Sequence, residues 1–353
     1  MSRPVRVGIT HGDYNGIGYE VILKALADPE MAGMCTPVIF GNSKIAETVR
    51  RELRLEDVKW RRIDSADQAQ DGEISIVDVC QAPESLTPGH PSTEAGLAAA
   101  AALEAACRAL EQGEIDVLVT APINKRTIYN HETFPYPGHT EYLEARIGNG
   151  AKATMILFDD LLRVALVSTH KALRDVPAAI TRENVVAKIN ALNDTLRRDF
   201  GMDRPRIAVL SLNPHNGDNG LLGSEEIQII TPAIQECVDK GVLAFGPYAA
   251  DGFFGNGTFR KFDGIVAMYH DQGLAPFKAL AGEYGVNYTA GLPFVRTSPD
   301  HGTGYDIAGK GIADPISMRR AIFKAIDLHR NRTLHDRISA NPLRTTRQQP
   351  ERQ

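Results

Sequence analysis

The chain has 353 residues, of which 43% are hydrophobic and 24% charged, as is typical of a globular protein with a sizeable core. Its 39 Lys and Arg against 44 Asp and Glu give a net charge of −5, which argues against nucleic acid or an anionic membrane as a partner and favours a small molecule. Four cysteines without a Cys-x-x-Cys pair indicate neither a zinc knuckle nor a disulfide framework. The sequence has neither a long apolar run nor a signal-like start, so we expect a cytoplasmic protein.

Strand-like and helical segments alternate along the first third of the chain. The alanine-rich segment 93–113 predicts a helix that closes on Gly113. Runs rich in valine and isoleucine occupy residues 5–10, 37–42, 74–79 and 115–122. This alternation predicts a mainly parallel α/β sheet.

The middle of the chain departs from that pattern. Residues 153–169 read as a hairpin that turns at Asp159 and Asp160, which predicts some antiparallel sheet. Residues 181–201 predict an amphipathic helix ended by a glycine, and residues 206–214 and 264–269 predict buried strands. Residues 341–353 are polar and unpatterned, so we expect a frayed tail there.

Three histidines share one sequence context, because His170, His215 and His270 each follow a predicted strand. If these strands lie in one sheet, their carboxyl ends bring the imidazoles together. Three imidazoles with an open fourth position make a catalytic site of the zinc type. The alternative is that each ring hydrogen-bonds the backbone of its own loop, and the residues alone leave both interpretations open. Asp271 or a nearby backbone carbonyl could hold the far nitrogen of a ligand ring.

A second group of residues is suited to binding an anion. Lys278, Asn287 and Arg296 could surround a phosphate or carboxylate, or they could be solvated loop residues. His139 and Thr140 open a predicted helix directly after a glycine, where backbone amides favour an anion. Thr140 could instead be the N-cap of that helix.

The segment "TSPDHGTGYDIAGKGIADP", residues 297–315, is rich in glycine and in polar residues that a core would not use. It predicts a loop whose backbone approaches a dinucleotide closely, although it lacks the Gly-x-Gly-x-x-Gly order. A shorter "GIG" in the opening segment 10–20 either serves the same purpose or forms the turn into a helix.

Several motifs taken together resemble one family. The segments "ITHGDYNGIGYE", "TAPINK", "PGHTEYL", "STHKALRDV", "LNPHNGDNG", "YHDQGLAPFK" and "VNYTAGLPFVRTSPDHGT" occur in this order and are similar to the 4-hydroxythreonine-4-phosphate dehydrogenases of vitamin B6 biosynthesis. That family resembles the isocitrate and isopropylmalate dehydrogenases. The resemblance therefore implies an α/β, two-lobed mixed-sheet fold with an inter-lobe cleft, in which residues 1–135 and 295–340 form one lobe and 136–294 the other.

The resemblance also implies roles for particular residues. A divalent metal (Zn, Mg or Co) is bound by His170, His215 and His270, with His270 contributed across a homodimer interface in the second lobe. By the same resemblance the phosphorylated substrate is bound by His139, Thr140, Lys278, Asn287 and Arg296, and NAD or NADP by Asp300, His301, Gly302, Thr303 and Asp306. The sequence does not require a separate general base, for which Lys125 and Asp271 are both candidates.

The implied reaction is metal- and NAD(P)-dependent oxidation of 4-phosphohydroxy-L-threonine, with decarboxylation to 3-amino-2-oxopropyl phosphate. Three positions depart from the family's usual opening, since His11, Tyr14 and Tyr19 stand where it has proline. We therefore keep a threonate or erythronate 4-phosphate dehydrogenase as an alternative. More distant alternatives are a metallohydrolase and a non-catalytic module that binds a phosphoryl ligand.

Overall fold

The structure, a computed structural model, describes residues 3–28, 30–130 and 133–341. The predicted tail therefore lies outside the described residues, apart from Asn341. None of the helices in the described part has the length and apolar content to cross a bilayer.

The strands of the described residues form one sheet in the order β3-β4-β2-β1-β5-β12-β11-β6-β7-β10-β8-β9. Their bounds are β1 (Val5–Thr10), β2 (Cys35–Gly41), β3 (Trp60–Ile63), β4 (Ile74–Asp78), β5 (Val117–Thr120), β6 (Thr154–Phe158), β7 (Arg163–Leu166), β8 (Arg206–Leu210), β9 (Leu243–Tyr248), β10 (Gly264–Ala267), β11 (Val286–Ala290) and β12 (Val295–Pro299).

Helices cover the faces of this sheet. Their bounds are α1 (Gly18–Leu26), α2 (Glu30–Met34), α3 (Ser43–Glu52), α4 (Thr93–Glu111), α5 (Lys125–Ile128), α6 (His139–Ile147), α7 (Val176–Ala179), α8 (Arg182–Arg198), α9 (Thr231–Asp239), α10 (Ala250–Gly255), α11 (His270–Ala281) and α12 (Ile316–Ser339).

The two long helices predicted from the sequence are confirmed as α4 and α8. Each begins at a hydroxyl cap, because Ser92 accepts a hydrogen bond from the Ala95 amide and Thr181 accepts one from the Asn184 amide. Left-handed glycines follow both helices, Gly113 at φ +70° and Gly201 at φ +68°, as the sequence predicted.

The sheet changes character near its middle. At one end of the sheet, neighbouring strands in the series β3, β4, β2, β1, β5 and β12 pair in parallel. In the middle, neighbouring strands in the series β12, β11, β6 and β7 pair antiparallel. The remaining strands β7, β10, β8 and β9 are parallel again. The predicted hairpin is confirmed as β6 and β7, and the α/β mixed-sheet fold is confirmed with it. The antiparallel junction of β11 and β12 lies at the predicted lobe boundary near residue 295, and the division into lobes stays a prediction.

A buried polar network ties α8, β11 and α12 together. Arg332 Nε and Nη2 donate to the Asp199 carboxylate at 2.8 and 3.0 Å, and the Tyr288 hydroxyl donates to the same carboxylate at 2.6 Å. Arg332 Nη1 also donates to the Leu292 carbonyl at 3.1 Å. Both charges are almost fully buried, so each depends on the other for compensation.

The Asp199→Ala variant should lower the free energy of unfolding by roughly 3–5 kcal/mol, because it leaves the Arg332 charge buried without a counter-ion. The matched control is Arg198→Ala, which breaks the neighbouring exposed pair with Asp336 and should cost roughly 1 kcal/mol or less. Urea unfolding followed by circular dichroism measures both. Equal losses in the two variants would contradict the structural role of the Asp199 network.

Candidate active site

A cavity of ≈ 330 Å³ lies over the carboxyl ends of β5 and β12. All five residues expected to bind substrate are in its wall, although they come from distant parts of the sequence. His139 and Thr140 open α6, Lys278 lies on α11, Asn287 on β11 and Arg296 on β12. The structure thus brings the predicted substrate residues together, and their binding role stays a prediction.

Arg296 is the buried cation of this cavity, with only 3% of its surface exposed. Its Nε donates to Thr120 Oγ1 at 3.1 Å, its Nη2 donates to the same oxygen, and its Nη1 donates to Thr289 Oγ1 at 2.9 Å. In the described part of the chain these acceptors are neutral hydroxyls, and no carboxylate forms an ion pair with Arg296. Burial lowers the pKa of Arg296 to about 10, so the group is still charged at neutral pH. A buried cation without a counter-ion is unfavourable unless an anion binds beside it.

The start of α6 adds donors to the same cavity. Gly138 is the residue before the helix and supplies no side-chain cap, so Thr140 is not the N-cap and the first amides of α6 remain available. Burial, with further contributions from Arg296 and Lys125, holds the pKa of His139 well below its ordinary value. His139 is therefore a neutral imidazole at neutral pH, in which one ring nitrogen donates a hydrogen bond and the other accepts one.

Lys278 and Asp300 form a polar pair at the rim. Lys278 Nζ lies 3.2 Å from Asp300 Oδ1, and the lysine side chain is about half exposed. Burial raises the pKa of Asp300, and Lys278 opposes that shift. Lys278 therefore has a carboxylate partner, whereas among the described residues neither Arg296 nor Lys125, which also lies in the cavity wall, forms an ion pair.

The three predicted metal ligands follow neighbouring strands, but their side chains do not come together within one chain. Strands β7, β10 and β8 are adjacent and parallel, so His170, His270 and His215 follow the same edge. The rings of His170 and His270 are neighbours, with centroids 6.4 Å apart. Within the ranges that the structure covers, no group of three or more His, Cys, Asp and Glu side chains could hold an ion. Within one chain the three imidazoles therefore do not form a complete donor set for zinc.

His215 lies on a left-handed turn. Residues 215–219 have φ between 44° and 74°, a conformation that costs non-glycine residues energy and that asparagine and aspartate tolerate best. The buried Glu226 holds the start of this turn, since its carboxylate accepts from the Leu212 and Asn213 amides, both at 2.8 Å. Strained backbone of this kind is concentrated at functional sites.

The two candidate bases are placed differently. Lys125 lies in the wall of the cavity at the start of α5. Asp271 is exposed, does not contribute to that wall, and pairs with His270 Nδ1 at 2.7 Å. Of the two candidates, Lys125 therefore lies in the cavity wall and Asp271 beside a histidine ring, and the role of general base stays a prediction for both.

A second cavity of ≈ 410 Å³ adjoins the first, and the two share Asp300, His301 and Gly302 in their walls. Its apolar wall includes Ile17 and Ile307. Of the polar groups, His301 Nε2 is buried without a partner in the described part. Apolar surface beside an unpaired donor or acceptor suits a flat heteroaromatic ring, so these residues fit a nicotinamide or adenine group.

Two of the predicted cofactor residues do not line either cavity. The Thr303 carbonyl accepts from the Ile17 amide at 2.9 Å, which holds the glycine-rich loop against the start of α1. Asp306 is exposed. Their predicted contact with a dinucleotide therefore requires a ligand that extends beyond the second cavity.

The three departures at the opening segment are core residues. His11, Tyr14 and Tyr19 are buried, with the His11 ring 5.2 Å from Tyr19 and 6.3 Å from Tyr14 between centroids. None of them lines the first cavity, and Tyr14 and Tyr19 belong to the main hydrophobic core.

Sequence reasoning missed three polar residues of this region. Thr120 ends the otherwise apolar strand β5, and that position is a signal for a site at the sheet edge. Thr289 lies within β11, and Glu226 lies well downstream of the turn it holds. Nothing local to Thr289 or Glu226 distinguishes them from ordinary surface or core residues.

These features define a class of protein: a mixed α/β enzyme that holds a small anionic substrate beside a larger, partly apolar ligand. A sequence profile of the family described as "Pyridoxal phosphate biosynthetic protein PdxA" matches residues 33–325. The chain belongs to the PdxA family.

Individual relatives agree with this membership. A 4-hydroxythreonine-4-phosphate dehydrogenase of Bacteroides thetaiotaomicron is 54% identical over 340 residues, which is 96% of this chain and 93% of that protein. A D-threonate 4-phosphate dehydrogenase of Pectobacterium atrosepticum is 40% identical over 328 residues, 91% of this chain and 98% of the relative. The crystal structure of 4-hydroxythreonine-4-phosphate dehydrogenase from Klebsiella pneumoniae matches with a TM-score of 0.80 and 36% identity, covering 93% of this chain and 98% of that chain.

The buried His11 predicts a pH dependence of stability. Burial lowers its pKa to about 4 from the ordinary 6.5, an effect that the Ala98 carbonyl partly offsets. Between these values the unfolded chain binds a proton that the folded chain does not, so stability falls as pH falls from 6.5 to 4. The contribution is roughly 3 kcal/mol, and a His11→Phe variant should lack it.

Urea unfolding at several pH values between these limits measures the effect. His90→Phe, at an exposed histidine, is the matched control and should keep the wild-type slope, since it leaves His11 in place. A His11→Phe variant with the wild-type pH slope would contradict the prediction.

Proposed function

We propose that this chain is a metal- and NAD(P)-dependent 4-hydroxythreonine-4-phosphate dehydrogenase. In this proposal it oxidises 4-phosphohydroxy-L-threonine with decarboxylation to 3-amino-2-oxopropyl phosphate. The observation that carries the proposal is the buried, unpaired Arg296 in a cavity that also receives the first amides of α6. Relatives named as dehydrogenases favour this class over the metallohydrolase and the binding module.

The phosphate of the substrate lies between Arg296 and the start of α6. Arg296 offers a planar fork that matches phosphate oxygens, and the α6 amides offer further donors. Lys278 at the rim adds a second positive charge. Asn287 Oδ1 is buried without a partner in the described residues, so it is available to accept from a hydroxyl or amino group of the substrate.

The nicotinamide cofactor lies in the second cavity, against the loop that carries Asp300, His301, Gly302, Thr303 and Asp306. A cofactor held there would supply the acceptor for a hydride from the carbon that bears the substrate hydroxyl. The two cavities share Asp300, His301 and Gly302 in their walls, which supports placing the cofactor next to the substrate.

Proton transfer is assigned to Lys125, because it lies in the cavity wall. In its neutral amine form it takes the hydroxyl proton as the hydride leaves, which gives a ketone at the carbon next to the one that bears the carboxylate. The ammonium so formed can return this proton to the carbon that later loses carbon dioxide. A β-keto acid loses carbon dioxide readily when positive charge stabilises the enolate that forms. The cations of the cavity face the substrate and supply part of that charge.

A threonate 4-phosphate dehydrogenase is the second candidate. It is favoured by the relative from Pectobacterium atrosepticum, which bears that name. The two substrates share the phosphate, the reacting hydroxyl and the carboxylate, and differ where one has an amino group and the other a hydroxyl. The residues placed around the phosphate do not discriminate between them.

An assay with a panel of phosphorylated four-carbon acids tests the reaction. The enzyme is incubated with NAD or NADP, added Zn, Mg or Co, and either 4-phosphohydroxy-L-threonine, D-threonate 4-phosphate or D-erythronate 4-phosphate. We expect one NADH and one carbon dioxide per turnover of 4-phosphohydroxy-L-threonine. A keto acid that keeps its carboxylate would contradict decarboxylation, and much faster turnover of a threonate phosphate would reassign the substrate.

The metal site belongs to the same proposal. His170, His215 and His270 bind one divalent ion in a site shared between two subunits, as the family resemblance implies. Two observations support sharing: the histidines of one chain do not form a set of three, and exposed apolar residues lie close in sequence to His215, namely Leu221, Leu222 and Ile227. A divalent ion held by neutral imidazoles lowers the pKa of a bound hydroxyl.

Mixing inactive variants tests the shared site. If His270 is contributed by the second subunit, a refolded mixture of His170→Ala and His270→Ala should regain roughly a quarter of wild-type activity and metal content, because half of the dimers are mixed and each has one intact site. A mixture of His170→Ala and His215→Ala is the control, with no recovery expected. Recovery of activity in the control mixture alone would mean that His170 and His270 of a site come from the same subunit. No recovery in either mixture would contradict a metal site shared between subunits.

A further inference from the structure

Arg296 is held by two threonines from different strands. Thr120 is the last residue of β5, and Thr289 lies on β11, so the two hydroxyls approach the guanidinium from both strands that flank β12. Thr120 Oγ1 accepts from Nε and Nη2, and Thr289 Oγ1 accepts from Nη1. Three of the five N–H bonds of the guanidinium are therefore used, and two remain for a ligand.

The choice of acceptor decides the charge of the site. A carboxylate in place of either hydroxyl would orient the Arg296 guanidinium equally well. It would also neutralise the positive charge and so reduce the attraction of Arg296 for an anion. A hydroxyl fixes the fork and leaves the full charge in place. Both threonines are buried, so the hydrogen bonds are protected from water and the fork is held in one orientation.

The threonine hydroxyls also keep one donor each. A hydroxyl that accepts two hydrogen bonds has used both lone pairs and directs its hydrogen elsewhere. Neither Thr120 nor Thr289 donates a hydrogen bond in the part of the chain that the structure describes. Thr120 lines the first cavity, so its hydrogen can reach an oxygen bound there.

We propose that Thr120 and Thr289 are positioning residues that orient Arg296 without neutralising it, so that a phosphoryl group of the substrate becomes its counter-ion. This inference rests on the proposed function for the identity of the substrate. It adds that the preference for a phosphorylated acid depends on two neutral side chains that flank the cation.

The variants Thr120→Val and Thr120→Ser separate positioning from packing. Valine keeps the shape of threonine and loses the hydroxyl, whereas serine keeps the hydroxyl. The matched control is Thr297→Val on β12 itself, where a buried hydroxyl donates to the Ala321 carbonyl at 2.8 Å and does not contact Arg296. If Thr120→Val fails to fold, Thr289→Val removes the Nη1 contact and takes its place.

Binding of inorganic phosphate, measured by calorimetry on the full chain, is the first readout. Thr120→Val should raise the Kd for phosphate by about ten-fold or more, because a misaligned fork loses its paired contacts. Thr120→Ser and Thr297→Val should stay within about two-fold of the wild type. The second readout is the KM for 4-phosphohydroxy-L-threonine, which should rise by the same factor as the phosphate Kd while the Kd for NAD is unchanged.

Three results would overturn the inference: unchanged phosphate binding in Thr120→Val, equal weakening in Thr297→Val, or no phosphate binding by the wild type. Failure of the proposed reaction gives a different result. A wild type that binds phosphate in a Thr120-dependent manner and oxidises none of the phosphorylated acids would contradict the reaction and leave this inference standing.

Discussion

The position of β12 is the constraint on which the site depends. This strand pairs in parallel with β5 and antiparallel with β11, so it is the seam between the two parts of the sheet. A side chain on β12 is therefore flanked by strands from both parts and is excluded from water. Arg296 occupies this position, which explains how a guanidinium can be buried and still face a cavity.

Two buried arginines show how environment separates structure from function. Arg332 is paired with Asp199 and hydrogen-bonded to Tyr288, so its charge is compensated within the protein. Arg296 is similarly buried, but among the described residues its side chain donates only to the hydroxyls of Thr120 and Thr289. The first arrangement stabilises the fold, whereas the second is costly until an anion arrives. Burial alone does not distinguish the two arginines, whereas the presence or absence of a carboxylate partner does.

The sequence predicted the parts of the molecule that depend on local pattern. Helices α4 and α8, the β6–β7 hairpin and the strands that precede the three histidines follow from periodicity, caps and glycine positions. The chemistry of the side chains suggested the candidate anion-binding residues, and the family resemblance assigned them to one site. Thr289 and Glu226 were not found, because their roles arise from contacts across strands that no local pattern encodes.

The wall shared by the two cavities has a consequence for ligand design. Asp300, His301 and Gly302 line both cavities, so a single molecule with an anionic head and a flat aromatic tail could contact both sides of this loop. Joining two weak binders by a short linker makes the second contact intramolecular, which raises its effective concentration to the millimolar range. A bisubstrate inhibitor for this fold thus gains affinity from its linker when the linker follows the loop that both cavities share.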